Sequence, residues 1–303
     1  MYKLLAIGFL SCAILAIGSK GFAQDPNFHI YLCFGQSNMQ GSAKIEAQDK
    51  TSSDRFLVLQ SSDSWIPPRK KGQWRPAVPP LCRKGTGLGP AHSFGNTMVE
   101  HLPENIKVGI VHVAVAGCRI ELFDKDQYQE FKTTHEGAWF KKIIDAYGGN
   151  PYDHLLQLAK KAQESGVIKG ILLHQGESNT GEEDWPAKVK VIYDNLMKDL
   201  SLDPTVTPLL AGEVVHADYE GCCSKMNITM ARLPETILNS HIVSSKGCTA
   251  QPDKTHFDSQ GVRLLGKRYA HKMLETMGIK FDEKDQAAPT PAVPPRESEK
   301  VSN

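Results

Sequence analysis

The sequence predicts an α/β fold in which helices cover both faces of a mostly parallel sheet. Short apolar runs alternate with stretches of helical periodicity, and this alternation is typical of parallel sheets. The strand candidates are apolar at successive positions, as expected for strands that are buried on both faces. The sequence has no internal repeat and no change of composition that would divide its body, so we expect one domain over residues 24–282.

Five runs are predicted to be strands because they are short, apolar and rich in β-branched or aromatic residues. The first of them, FHIYLCF, is the most compact, and the last two are the weakest. In chain order the predicted strands cover residues 28–34, 107–115, 168–173, 209–215 and 241–244.

Four stretches between these runs are predicted to be helices, at residues 91–101, 152–164, 186–200 and 260–277. Asp258 or Ser259 is a natural N-cap for the last helix. The exception to the alternation is segment 44–89, which is rich in Ser, Pro, Lys, Arg and Gly. So long an irregular stretch is usually functional or poorly ordered, so we expect an elaborated loop beside the functional site.

Both ends of the chain lie outside the predicted domain. Lys3 precedes an apolar run, and Gly21 and Ala23 are the small residues of a cleavage site, so residues 1–23 are predicted to be a signal peptide. The apolar run is shorter than the roughly 20 residues that a membrane span needs. We therefore expect a secreted or periplasmic protein without a membrane partner after cleavage. Residues 283–303 are rich in Pro, Ala and charge and are expected to be a disordered tail.

The charge balance and the cysteines exclude several classes of partner. Lys and Arg total 35 and Asp and Glu total 34, a formal net charge of +1. This balance gives no long-range field for polyanions, so we expect no nucleic acid partner. Six cysteines follow the signal peptide, an even number that allows disulfides of unknown pairing. None has Cys-x-x-Cys spacing, so no metal site is predicted.

The first candidate functional segment is Gly35-Gln36-Ser37-Asn38-Met39, directly after the first predicted strand. In an open α/β sheet, ligands bind in crevices at the carboxyl ends of the strands. A serine on a tight turn after Gly35 can present its hydroxyl outward, although a serine needs a nearby base to act as a nucleophile. On this segment alone, Ser37 as a cap of the following helix is an equal alternative.

The second candidate segment, Asp253-Lys254-Thr255-His256, lies just before the last predicted helix. Its spacing suits a carboxylate and an imidazole on one loop turn, with Asp253 accepting a hydrogen bond from one ring nitrogen of His256. The other ring nitrogen can then take the proton of Ser37. Such a pair is common by chance, but its combination with a serine after the first strand indicates a catalytic triad.

Two further segments offer hydrogen-bond donors for a developing negative charge. Gly117 follows the second predicted strand and can present a backbone N–H without a side chain in the way. The segment His-Gln-Gly-Glu-Ser-Asn follows the third strand and offers the side-chain amide of Gln175 or Asn179. Each such donor can contribute about 3 kcal/mol to a transition state. Ordinary turn chemistry is the alternative for either segment taken alone.

Together these motifs resemble the SGNH hydrolase superfamily. The segments Gly-Gln-Ser-Asn-Met, His-Gln-Gly-Glu-Ser-Asn and Asp-x-x-His are most similar to those of carbohydrate esterases that include acetylxylan esterases and sialate O-acetylesterases. The resemblance covers about residues 28–277. It implies a three-layer α/β/α sandwich with a flavodoxin-like parallel sheet, and hydrolysis of O-acetyl esters on sugars without a cofactor.

The resemblance also assigns roles to residues. It implies that Ser37 is the nucleophile, that Asp253 and His256 are the acid and base of the triad, and that the backbone amides of Ser37 and Gly117 are oxyanion donors. Superfamily members often supply a third donor from an Asn in their third motif, where Ser178 or Gln175 is closest here. We favour the Gln175 side chain, with Asn179 as the alternative.

Three side chains are predicted to support the site or to contact substrate. Glu177 is expected to organise its loop, with Gln36 as a neighbour in the nucleophile motif. Trp139 is the favoured platform for a sugar ring among the four tryptophans, because the end of the second strand should face the site. Buried packing, the commoner fate of a tryptophan, is the alternative. The expected partner is an acetylated polysaccharide or oligosaccharide: acetylated xylan is our first choice and acetylated sialic acid the second. A carbohydrate-binding module without catalysis is the alternative on the same fold.

Overall fold

The computed structural model describes residues 24–63, 68–133, 135 and 137–281. The predicted signal peptide and the predicted C-terminal tail lie outside these residues. Within the described ranges, no helix is both long and apolar enough to cross a membrane.

A single sheet organises the described part of the chain. Its seven strands are β1 (Asp25–Gly35), β2 (Phe56–Leu59), β3 (Trp74–Pro76), β4 (Lys107–Ala114), β5 (Gly166–His174), β6 (Leu209–Gly212) and β7 (Ser240–Val243). Their order in the sheet is β3-β2-β4-β1-β5-β6-β7. Neighbouring strands are parallel except β2 and β3, which are antiparallel.

The five strands that the sequence predicts form a flavodoxin-like arrangement. Taken alone, they lie in the order β4-β1-β5-β6-β7, so the second strand of the five lies on one side of the first and the rest lie on the other. The first strand therefore sits at the point where the chain reverses direction across the sheet. The predicted fold class is confirmed.

Helices cover both faces of this sheet. They are α1 (Ser37–Gln40), α2 (Pro90–His101), α3 (Tyr128–Phe131), α4 (Ala138–Ala146), α5 (Pro151–Gln163), α6 (Trp185–Asp199), α7 (Met226–Met230), α8 (Leu233–Thr236) and α9 (Ser259–Thr276). Along β1, Ile30 and Leu32 pack into a core with α4 to α8, while Tyr31 and Cys33 pack into a core with α2 and α9. This alternation makes the three layers.

The four predicted helices form within two residues of their expected bounds. Their starts follow the usual capping chemistry, since the side chain of Asn150 accepts a hydrogen bond from the amide of Asp153 before α5. The Asp258 carboxylate does the same for α9, where it accepts from the Gly261 amide at 2.8 Å. Asp258, and not Ser259, is therefore the N-cap.

The described residues of segment 44–89 are mostly irregular, as predicted, but they include two strands that the sequence analysis missed. These are β2, which extends the parallel sheet beside β4, and β3, which pairs with β2 at the edge. The side chains of Phe56, Val58 and Leu59 are fully buried. A run of four apolar residues among many polar ones is too short to stand out as a strand, and pairing with β4 stabilises it.

An ion pair ties this segment to the last helix. The Arg263 guanidinium on α9 donates to both carboxylate oxygens of Asp49, at 2.8 and 2.7 Å, and to Glu46 at 2.7 Å. Burial of Asp49 opposes its ionisation, but the hydrogen bonds from Arg263 and from the Glu46 amide outweigh it and lower the pKa of the carboxyl. Asp49 is thus a buried carboxylate whose charge Arg263 stabilises.

The six cysteines of the domain are free thiols. Cys33, Cys82, Cys118 and Cys248 are buried, while Cys222 and Cys223 are adjacent in the chain with their Sγ atoms 3.2 Å apart and unbonded. The disulfides that the even number of cysteines allows are therefore not formed in this structure.

We expect Arg263→Gln to lower the free energy of unfolding by about 3 kcal/mol at neutral pH, because it leaves the Asp49 carboxylate buried without its cation. The folded-state pKa of Asp49 is lowered, so the pair stabilises the protein above the unfolded-state pKa and stops doing so as pH falls through the folded-state pKa. The difference between parent and variant should therefore shrink below about pH 4.

Urea unfolding at neutral and acidic pH measures both effects. The control is Lys190→Gln, which breaks an exposed pair with Asp194 and should change stability by less than about 0.5 kcal/mol. Equal losses for the two variants, or a loss that does not depend on pH, would contradict the role of the Arg263–Asp49 pair.

Candidate active site

Ser37 lies at the carboxyl edge of the sheet, where β1 passes between β4 and β5. Gly35 ends β1 with φ +145°, and a Cβ atom there would lie 2.0 Å from the carbonyl oxygen of His174. Only glycine permits this close approach to the end of β5. The amide of Gln36 then donates to that same carbonyl at 2.9 Å, and Ser37 follows as the first residue of α1.

Ser37, His256 and Asp253 form a continuous hydrogen-bonded chain. The distance from Ser37 Oγ to His256 Nε2 is 2.8 Å, and that from His256 Nδ1 to Asp253 Oδ2 is 2.7 Å. The other oxygen of Asp253 accepts hydrogen bonds from the amides of Thr255 and His256, each at 3.0 Å. The structure thus brings together two segments that are separated by more than two-thirds of the chain.

The carboxyl of Asp253 is held in its charged form. Partial burial opposes ionisation, but hydrogen bonds from the His256 ring and from the amides of His256 and Thr255 lower the pKa of Asp253. A carboxylate at Nδ1 favours the tautomer in which this nitrogen carries the proton. His256 Nε2 is then the acceptor that faces the hydroxyl of Ser37, as a general base requires.

Two backbone amides at this edge of the sheet are free to donate. Among the described residues, neither the N–H of Ser37 nor that of Gly117 has an acceptor. Gly117 lies in the loop after β4 with φ +71°, and its carbonyl oxygen accepts a hydrogen bond from Ser178 Oγ at 3.0 Å. The preceding amide, that of Ala116, donates to the side chain of Gln40 on α1 at 3.1 Å. The loop is therefore fastened from both sides.

The side chain of Gln175 does not serve as a third donor. It is fully buried, and its Nε2 donates to the carbonyl of Cys118 at 3.2 Å and to Asn179 Oδ1 at 2.6 Å. Its Oε1 accepts from the indole of Trp185 at 2.7 Å, which fixes the orientation of the amide. Both amide hydrogens are committed, so the prediction for Gln175 is not supported.

Asn179 is committed in the same way. Its Nδ2 donates to the carboxylates of Glu121 and Glu182, each at 3.0 Å, and its Oδ1 accepts from the amide of Ile120 at 2.9 Å. The alternative third donor is therefore also excluded by its contacts. Gln175 and Asn179 instead brace the loop after β4 against the loop after β5.

Gln36 and Glu177 occupy supporting positions. Gln36 Oε1 accepts from the amides of Gly176 and Ser178 at 3.3 and 3.4 Å, which joins the loops after β1 and β5. The Glu177 carboxylate accepts from Asn38 Nδ2 at 2.6 Å. Burial opposes ionisation of Glu177, but nearby His174 and the hydrogen bond from Asn38 lower its pKa.

Asn38 is a site residue that the sequence argument missed. Besides Glu177, its Nδ2 donates to the carbonyl of Thr255 at 3.0 Å, and its Oδ1 accepts from the amide of Phe257 at 3.2 Å. Its position directly after Ser37 is the signal that could have identified it.

Trp139 lies at the start of α4, beside the Gly117 loop. It is 50% exposed, and its ring lies 3.2 Å from the position that a Cβ atom on Gly117 would take. The ring of His135 packs beside it, with 5.6 Å between the ring centroids. Trp139 therefore presents an exposed aromatic surface next to Gly117.

Comparison with known proteins places most of this chain in one family. A family model described as carbohydrate esterase, sialic acid-specific acetylesterase, matches residues 27–275. This range contains the three segments that meet at Ser37, together with all seven strands except the first residues of β1.

Solved structures share the fold. A protein from Arabidopsis thaliana is similar with a TM-score of 0.62 and 21% sequence identity, over 83% of this chain and 99% of that one. NanS is similar with a TM-score of 0.60 and 15% identity, over 84% of this chain and 98% of that one. At these identities the likeness concerns the fold of the whole domain.

We expect a fluorophosphonate, which bonds covalently to activated serine hydroxyls, to label Ser37. His256→Ala should slow the labelling by about 10²–10⁴-fold, because it removes the group that accepts the hydroxyl proton. Peptide mass spectrometry locates the adduct. As a control, Ser259→Ala should be labelled like the parent, since this hydroxyl donates to the carbonyl of Lys44 and not to an imidazole. Labelling at a different serine, or an unchanged rate in His256→Ala, would contradict the assignment.

Proposed function

The chain belongs to the carbohydrate esterase family of sialic acid-specific acetylesterases, and on this premise we propose that it hydrolyses O-acetyl esters of carbohydrates with Ser37 as nucleophile. The observation that carries the proposal is the chain of two short contacts, 2.8 Å from Ser37 to His256 and 2.7 Å from His256 to Asp253. A serine hydroxyl in contact with an oriented imidazole is the arrangement that acyl transfer needs.

In the first half of the proposed reaction, Ser37 Oγ attacks the acetyl carbonyl carbon while His256 Nε2 takes the hydroxyl proton. Asp253 stabilises the imidazolium that forms. The carbonyl oxygen becomes an oxyanion and accepts hydrogen bonds from the amides of Ser37 and Gly117. Because Gln175 and Asn179 have no free hydrogen, we propose an oxyanion hole of two backbone donors, a number that suffices in other serine hydrolases.

The first half ends when this oxyanion collapses: the sugar oxygen leaves with the proton from His256, and the acetyl group remains on Ser37. The second half removes that acetyl group. Water then attacks the acetyl-enzyme, and His256 takes one of its protons. Collapse of the second oxyanion releases acetate and returns the proton to Ser37. Each proton thus passes through the same nitrogen, Nε2, so displacement of the imidazole ring would slow both halves.

For the natural substrate we propose acetylated xylan, a neutral polysaccharide. Two cations next to the site are already paired: Arg119 pairs with Glu182 and, at 3.3 Å, with Glu121, and Lys254 pairs with Glu220. A neutral chain needs no free cation, and the exposed ring of Trp139 offers a surface on which a sugar can stack. Export, as residues 1–23 predict, would bring the enzyme to such a polymer.

Acetylated sialic acid is the second candidate. The description of the family favours it, and one observation agrees. Arg83 donates to the side chain of Gln40, the residue that also holds the amide of Ala116, and it has no carboxylate partner within the described part of the chain. A guanidinium in that position is suited to a sugar carboxylate.

We expect the mature protein to release acetate from acetylated xylan, and Ser37→Ala and His256→Ala each to lose at least about 10⁴-fold in kcat. O-acetylated sialic acid, assayed in parallel, decides between the two substrates. Binding of either glycan by folded protein that releases no acetate would favour the non-catalytic alternative. Acetate release that survives Ser37→Ala would exclude the mechanism.

We expect Trp139→Ala to raise KM for the polymer by about 2- to 10-fold, since aromatic stacking contributes roughly 0.5–1.5 kcal/mol. The kcat for a small reporter such as 4-nitrophenyl acetate should stay at the parental value, because Trp139 does not touch the triad. Ile228→Ala, which removes an even more exposed apolar side chain on α7, is the control and should change neither constant. A parental KM in Trp139→Ala would rule out the sugar platform.

A further inference from the structure

We propose that Asn38 is a positioning residue that fixes the main chain on both sides of His256, and that the carboxylate of Glu177 sets the orientation of its amide. This inference rests on the proposed function, since it concerns how the base of that reaction is held against its nucleophile. It gives a specific role to two buried side chains at the site.

The contacts of Asn38 bracket the base. Its Nδ2 donates to the carbonyl of Thr255 at 3.0 Å, and its Oδ1 accepts from the amide of Phe257 at 3.2 Å. These are the residues immediately before and after His256. One side chain therefore holds the peptide groups that flank the imidazole.

Because Asn38 is next to Ser37 in the chain, its bonds couple the position of His256 to that of Ser37. Asn38 follows Ser37 directly, in the first turn of α1. Any movement of the His256 loop away from Ser37 must therefore stretch the bonds to Asn38. The separation of 2.8 Å between Ser37 Oγ and His256 Nε2 is coupled to them in this way.

The other bonds of the loop cannot replace this coupling. The amides of Thr255 and His256 donate to Asp253, and the amide of Gln251 donates to the carbonyl of His256, so these bonds shape the loop internally. Two further links attach the loop to the body of the protein: Gln251 Nε2 donates to the carbonyl of Ser42 at 3.1 Å, and the amide of Cys222 donates to the carbonyl of Lys254 at 3.0 Å. Neither bond is made by the peptide groups that flank His256. A variant without Asn38 should therefore fold.

Glu177 determines which of its two orientations the side-chain amide of Asn38 adopts. An asparagine side chain can bind with either end, whereas an ionised carboxylate only accepts hydrogen bonds. Glu177 Oε1 lies 2.6 Å from Asn38 Nδ2, and both side chains are buried. A flipped amide would set its oxygen against the carboxylate and would lose both bonds to the His256 loop. The buried charge thus selects the one orientation that holds the base.

The first test is Asn38→Ala. We expect kcat for 4-nitrophenyl acetate to fall by about 10²-fold, the usual effect of a misplacement near 1 Å, with KM little changed. Asn227→Ala is the matched control, because Asn227 is a buried asparagine that brackets Val214 with two similar bonds, at 3.0 and 3.2 Å. It should lose stability but keep the parental kcat. Equal losses of kcat in the two variants would overturn the proposal.

The second test isolates Glu177. Asn38→Asp sets two carboxylates against each other and removes the donor to Thr255. Adding Glu177→Gln relieves the repulsion and restores a donor–acceptor pair between positions 38 and 177. The double variant should therefore recover about tenfold in kcat over Asn38→Asp, while Phe257 keeps its acceptor. Failure to recover would overturn the role of Glu177.

A readout that is independent of turnover separates this inference from the proposed function. The proton on His256 Nδ1 should give a far-downfield NMR resonance in the parent, because it is shared with Asp253. We expect this resonance to broaden or shift in Asn38→Ala and to stay unchanged in Asn227→Ala. A parental resonance and a parental kcat in Asn38→Ala would overturn the positioning role. A parent that hydrolyses no ester but shows these spectral changes would overturn the proposed function alone.

Discussion

The alignment of three parallel strands is the constraint on which the site depends. Gly35 at the end of β1 pairs with Ala114 at the end of β4 and with His174 at the end of β5. The loops that follow therefore start at one level and meet at one edge of the sheet. A side chain at position 35 would clash with the carbonyl of His174, so the convergence depends on the absence of a single Cβ atom.

The sequence predicted the parts of this arrangement that are local. Strands such as β1 can be predicted from their apolar and aromatic composition. The motifs around Ser37 and His256 can be recognised from the spacing of their residues. Burial and hydrogen-bond partners depend on residues that are distant in the sequence. The prediction for Gln175 failed for this reason, because its amide binds Cys118, Asn179 and Trp185 and has no hydrogen left for an oxyanion. The strand β2 was missed because the sheet, rather than its own four residues, provides most of its stability.

A buried polar network supports the loop that contains Gly117. The side chains of Gln175 and Asn179 are fully buried, and each makes hydrogen bonds through both ends of its amide. Fully satisfied networks of this kind specify one arrangement, because any shift leaves a buried polar atom without a partner. The loop after β4, which contains Gly117, is thereby held in one conformation. Residues whose type first suggested direct contact with the oxyanion contribute by rigidity instead.

Exposure rises along the proposed triad from one end to the other. Ser37 is buried, whereas 27% of the His256 side chain and 49% of the Asp253 side chain are exposed. The effective dielectric constant therefore increases from the nucleophile towards the acid, and the attraction between Asp253 and a protonated imidazole acts partly through water. Dissolved ions screen such an interaction more than one in a dry interior. The ionic strength of the solution therefore affects how strongly Asp253 stabilises a protonated His256.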